Sequence, residues 1–117
     1  MKDNVIATKS FQFAIRIVNL YKYLTNQKNE FILSKQLLRC GTSIGANIAE
    51  AEKAQSKADF IAKIGIALKE ASETDYWLRL LHQTEYINNA EFSSLQSDID
   101  ELIRILSAIR KTTQTDN

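Results

Sequence analysis

Between residues 33 and 48 the large apolar side chains fall at Leu33, Leu37, Cys40, Ile44 and Ile48, in steps of four, three, four and four. That spacing keeps them on one face of an α-helix, which turns once in 3.6 residues. Similar stripes recur along the chain, and none of its 117 residues is proline. Proline removes a backbone donor and clashes with the preceding turn, so a chain without it can be helical nearly throughout. Glycine is sparse too, at Gly41, Gly45 and Gly65. An all-α fold is predicted.

Four helices account for the stripes. The first is predicted over about residues 10–25, where Phe13, Ile17, Leu20 and Leu24 line one face and Phe11, Ala14, Ile15, Val18 and Tyr21 widen it. A helix apolar over most of its circumference is buried on more than one side. The second is predicted over 34–53, with Ser34 placed to cap the first turn. Ser56 and Asp59 have capping-box spacing and open a third over 56–84, with Trp77 beside its stripe. Asn88 and Asn89 can cap a fourth over 89–111, after which the polar tail is expected to fray. Short connections make successive helices antiparallel neighbours. Residues 1–117 are therefore expected to form a single domain, an antiparallel up-down-up-down four-helix bundle, and the width of the first apolar face points to an oligomer.

Cys40 is the one cysteine and lies on the apolar stripe, so a buried, reduced thiol is expected. No apolar run approaches transmembrane length and the N-terminus carries no signal-type apolar region. A cytoplasmic protein with no membrane partner is expected. The net charge of +1 hides a split: residues 1–45 hold seven Lys/Arg against two acids, and residues 46–117 hold eight against twelve. Such a split can steer an anionic partner or pair faces of neighbouring subunits.

Catalytic chemistry finds little footing. A di-metal bundle site needs inward glutamates and two Glu-x-x-His pairs, whereas the lone histidine, His82, has Arg79 three positions before it. Metal-binding Cys/His spacings, phosphate loops and nucleophile elbows are absent from the sequence. No enzymatic activity, cofactor or metal is expected. His82 lies near a helix end, where its ring can meet free carbonyls.

Arg39, Ser43, Asn47 and Glu50 share one face of the second helix, and Glu70, Glu73 and Trp77 are neighbours on the third. One reading is a ligand or partner groove anchored by Arg39. The other is a packing motif in which Arg39 pairs with Glu70 or Glu73 and Asn47 bonds across helices. In that reading Gly41 and Gly45 admit a neighbouring backbone, and the polar residues fix register. Lys2, Lys9 and Arg16 recur every seven residues, and Lys35 and Arg39 form a second basic pair; these are the candidate RNA or DNA contacts. Repetition around an oligomer would raise their phosphate affinity. Against that reading, there is no recognition helix or RNP-type aromatic signature, and the sequence pI is about 7.8. Trp77, Tyr76, Tyr21, Tyr23 and Phe13 are candidates for a protein partner's surface.

The stretch Gln36-Leu-Leu-Arg-Cys-Gly-Thr-Ser-Ile-Gly-Ala-Asn-Ile-Ala-Glu-Ala51, with Gln55–Phe60 and Ala67–Leu81, resembles the hallmark of the bacterial four helix bundle protein family. That family includes the 23S rRNA-intervening sequence proteins, encoded within insertions in 23S ribosomal RNA genes. The likeness runs over about residues 11–110. It departs at Ala51 and at Lys69-Glu70, where many relatives have glycine and a Gly-Ser pair. The resemblance implies a homopentamer of four-helix protomers around a central channel. The chain is also similar to the accessory protein of diversity-generating retroelements, a pentameric bundle thought to bind nucleic acid and a reverse transcriptase. The expected function is a non-enzymatic homo-oligomeric scaffold or adaptor, with the basic faces as candidate RNA or DNA contacts; the alternative is a module that contacts only protein.

Overall fold

The computed structural model describes residues 5–115, which form α1 (Val5–Asn26), α2 (Leu33–Ala51), α3 (Lys57–Gln83) and α4 (Asn89–Thr115). Each helix packs on the next, and α1 closes the ring by meeting α4, the least intimate of the four contacts. The result is the expected up-down-up-down bundle, 49 × 21 × 19 Å. Its core is built from the periodic stripes, with Phe13, Ile17, Leu37, Ile44, Ile64, Leu78, Ile99 and Leu106 all buried. Among the described residues no helix is long and apolar enough to cross a membrane.

Helix ends depart from the sequence reading for local reasons. The helix α1 starts at Val5, about a turn before residue 10, because Ile6 continues the buried stripe. Ser10 is buried within it and donates its hydroxyl to the Ala7 carbonyl at 3.1 Å. At the far end α4 runs on to Thr115, with the Thr113 and Thr115 hydroxyls donating to the Ile109 and Lys111 carbonyls. Two predicted caps hold. Ser56 accepts from the Asp59 N–H at 3.0 Å while Asp59 Oδ2 accepts from the Gln55 N–H, and Asn88 Oδ1 accepts from the Glu91 N–H at 2.8 Å.

The start of α2 is a correction. Ser34 does not cap it; Ser34 is fully buried inside the helix, and Ile32 at the cap position makes no side-chain bond. The carboxylate of Glu30 serves instead. It accepts from the N–H groups of Ile32 at 3.1 Å, Leu33 at 3.0 Å and Ser34 at 2.6 Å, and the Ser34 hydroxyl donates to the Glu30 carbonyl. Asn29, at φ 54°, turns the chain so that Glu30 can fold back over the helix end. Burial by itself would raise the Glu30 pKa, but the bonds from Leu33, Ser34 and Ile32 outweigh it and hold the group below its ordinary 4.5.

Close approach of α1 explains Gly41 but not Gly45. A Cβ on Gly41 would lie 2.9 Å from both Cγ1 and Cγ2 of Ile17, and one on Gly45 would lie 3.4 Å from Ser10 Oγ. The first distance is a clash with a side chain stiff at χ1; the second is ordinary contact.

Opposite outcomes follow at the two glycines. Gly41→Ala should lower the unfolding free energy by about 1–2 kcal/mol, overpacking against Ile17 outweighing the helix-propensity gain. Gly45→Ala should leave stability unchanged or raise it by up to about 1 kcal/mol. Urea titration showing the reverse order would refute the contact geometry. For Glu30, the folded pKa lies below 4.5, so its contribution is complete above about pH 4.5 and is lost as pH falls through the folded value. Glu30→Gln should cost about 1 kcal/mol at neutral pH and flatten the decline of the urea midpoint in acid. A midpoint–pH curve matching the parent's would exclude this role.

Candidate functional site

The polar row of α2 lies along the α2–α3 seam, and its two ends reach across. Arg39 Nη1 meets Glu70 Oε2 at 3.1 Å, and Nη2 meets both oxygens of Glu73 at 2.7 Å. Glu73 is held a second time, by the Trp77 indole N–H at 3.0 Å. At the other end Glu50 pairs with Lys63 at 3.3 Å. The Trp77 bond first, then the Arg39 guanidinium, hold the Glu73 pKa below its ordinary value. Glu73 and then Glu70 raise that of Arg39. Arg39 is half-exposed, so water screens the network.

The middle of the row behaves differently. Asn47 does not bond across helices as expected; its amide donates to the Ser43 carbonyl at 2.8 Å within α2. Ser43 likewise donates to the Arg39 carbonyl at 2.7 Å. Short polar side chains on a helix reach the carbonyl one turn back more easily than a neighbouring helix. Gly45 stands off this row, since two residues from Ser43 turn the helix by about 200°. It faces α1. The motif read as one unit thus serves two interfaces.

Beneath the Arg39 network, Cys40 is fully buried, its thiol pushed up to about 11, chiefly by burial. Such a thiol is inert at neutral pH. His82 stacks on Phe92, ring centroids 4.1 Å apart, and its Nε2–H donates to Asn89 Oδ1 at 2.7 Å. Its partner is therefore a side chain rather than the free carbonyls of a helix end. Among the described residues no three His, Cys, Asp or Glu are grouped to hold a metal ion.

The candidate nucleic-acid residues are scattered. Lys2 lies outside the described residues. Lys9 and Arg16 line the α1–α4 seam, Lys9 paired with Glu101 at 3.3 Å and Arg16 with Asp98 at 2.6 Å and Glu91 at 3.8 Å. Arg39 is occupied on α3, and Lys35 is exposed near the start of α2. Of the cations written every seven residues, the two that are described, Lys9 and Arg16, are thus paired with acids of α4. Those acids are far off in sequence, so spacing could not show it.

Among the described residues, half of the exposed large apolar side chains lie on α1. Phe11 is 67% and Ile15 48% exposed. Beside them an open groove of about 740 Å³ runs between α1 and α2, with Ala7, Phe11, Ala14, Gly45, Ala46 and Ala49 among its walls. Of the residues that widen the first stripe, Phe11 and Ile15 therefore remain exposed in one chain, while Ala14, Val18 and Tyr21 are half-buried. Of the aromatic candidates, Phe13 is core, Trp77 and Tyr21 are half-buried, and Tyr23 and Tyr76 are exposed.

The sequence model of a family described as 23S rRNA-intervening sequence protein matches residues 2–108. Solved structures that match include the crystal structure of a protein of unknown function from the S23 ribosomal protein family of Bacteroides thetaiotaomicron. It is 61% identical, covers 96% of this chain and 100% of that one, and superposes with a TM-score of 0.93. No curated protein matches the chain.

The Arg39 network makes a double-mutant cycle informative. Arg39→Ala and Glu73→Ala should couple by about 0.5–1 kcal/mol, less in high salt. Coupling indistinguishable from zero at low salt would remove this network as a register device.

Proposed function

The chain belongs to the 23S rRNA-intervening sequence protein family, and from that membership together with its exposed α1 face we propose a non-enzymatic homo-oligomeric scaffold that works through protein contacts. The carrying observation is the Phe11–Ile15 surface beside the α1–α2 groove, where a second copy can bury apolar side chains that one bundle leaves in water. The assembly is a homopentamer, as the family resemblance implies. Small groove residues let a helix approach closely, as Gly41 does inside the bundle.

Protein contact is favoured over phosphate contact because Lys9 and Arg16 are already held by acids of α4. A phosphate at that seam would have to displace carboxylates and meet their repulsion. A non-enzymatic role fits the inert Cys40 thiol and the pinned His82 ring.

Light scattering at micromolar concentration should give five times the 13.3 kDa chain mass. Phe11→Ser with Ile15→Ser should reduce that mass while helicity is kept. A single-chain mass for the parent, or an unchanged mass for the variant, would overturn the assembly. Tight, steeply salt-dependent RNA or DNA binding that Lys9→Glu with Arg16→Glu abolishes would replace the protein-only reading with nucleic-acid binding.

A further inference from the structure

The connection between α1 and α2 lies at one end of the bundle's long axis and carries two adjacent large apolar side chains in water. Phe31 is 57% and Ile32 75% exposed, the latter the most exposed large apolar residue described. The core does not need them there: Leu24 before them and Leu37 after them fill the adjoining layers. Their backbone is firmly held, the Ile32 N–H by Glu30 Oε2 at 3.1 Å. A rigid connection that displays two apolar side chains calls for an occupant.

Charge around the tip indicates which kind. Lys28 precedes it and Lys35 follows it, both exposed, and neither makes an ion pair among the described residues. Lys22 lies one turn back in α1. Glu30 is the only acid between residues 4 and 49, and its two oxygens are turned inward onto the first N–H groups of α2. The acid is thereby withdrawn from the surface and the lysines are left. Against them that end carries Glu85, exposed in the α3–α4 connection. Tyr23 is 43% exposed with Lys28 Nζ 5.8 Å over its ring, and Tyr is a residue suited to the boundary between water and hydrocarbon.

We propose that the Phe31–Ile32 tip docks on an anionic lipid surface, the two side chains entering the headgroup region while Lys28 and Lys35 meet the lipid phosphates. A protruding apolar pair flanked by cations needs a deformable apolar phase bearing negative charge, which a bilayer surface supplies without a matching pocket. The lack of a membrane-crossing helix bears on spanning, not on this contact. One tip gives a weak, reversible attachment. A cyclic assembly whose bundles stand along its axis presents every tip on one side, and attachment then strengthens by avidity; that gain alone rests on the pentamer proposed above.

The test is sedimentation with vesicles of phosphatidylcholine, or of equal parts phosphatidylcholine and phosphatidylglycerol, with scattering mass measured in parallel. The parent should bind the anionic vesicles and not the neutral ones, and salt should weaken the binding. Phe31→Ser with Ile32→Ser should reduce binding at least about tenfold at unchanged mass, and Lys28→Glu with Lys35→Glu should reduce it too. Phe31→Trp should shift its emission to the blue on adding anionic vesicles. Binding by a protein of single-chain mass would support the tip while removing the pentamer. Absence of binding to anionic vesicles at low salt overturns the proposal. So does a fall in mass for the Phe31, Ile32 variant, which would make the tip a contact between copies.

Discussion

The bundle depends on how closely α1 approaches α2. At Gly41 the space a methyl group would take is filled by the branched side chain of Ile17, whereas at Gly45 a methyl group would only touch Ser10. Gly41 forgoes about 1 kcal/mol of helix propensity, which the tight contact offsets by burying Ile17 completely. Because Ile17 is rigid, its fit against Gly41 sets the height of α1 on α2. That height aligns the core layers and also brings the side of α1 bearing Phe11 beside the groove over Ala46 and Ala49.

Polar interactions are placed around this apolar contact rather than within it. The α2–α3 seam carries the Arg39 network and the Glu50–Lys63 pair; the looser α1–α4 seam carries Lys9–Glu101 and Arg16–Asp98. These pairs are partly exposed, and each contributes little on its own. Their sign pattern opposes sliding, since moving one helix a turn past its neighbour would break several at once. The same pairing uses up cations that a phosphate-binding surface would need. Among the described cations without an ion pair are Lys28 and Lys35, and the acid between them in sequence, Glu30, is turned onto the first N–H groups of α2.

Features that depend on neighbours in sequence were legible. The stripes, the Ser56 and Asn88 caps and the buried Cys40 follow from helical spacing; the need to pair polar groups suggested that Arg39 meets Glu70 or Glu73, and the structure has it meet both. Hydrogen bonds with several local options were not. Ser34 looks like a cap by residue type, yet Glu30 offers two oxygens and an ionised group to the same N–H donors. Asn47 looks like a bridge, yet a carbonyl one turn back was nearer. The neutralisation of Lys9 and Arg16 was invisible because Glu101 and Asp98 lie more than eighty residues away.

By itself the sequence determined the helical class, the number of helices, their antiparallel order and the face each turns inward, because 3.6-residue periodicity and short connections admit few other arrangements. The family was readable only as a resemblance, from two blocks of residues that also hold the close helix contact and its polar lock. Tertiary structure decided which cations are free, which carboxylate caps α2 and which apolar residues stay in water. Those outcomes are settled by which side chains distant parts of the chain bring within a few ångströms, and spacing along one helix carries no information about its neighbour.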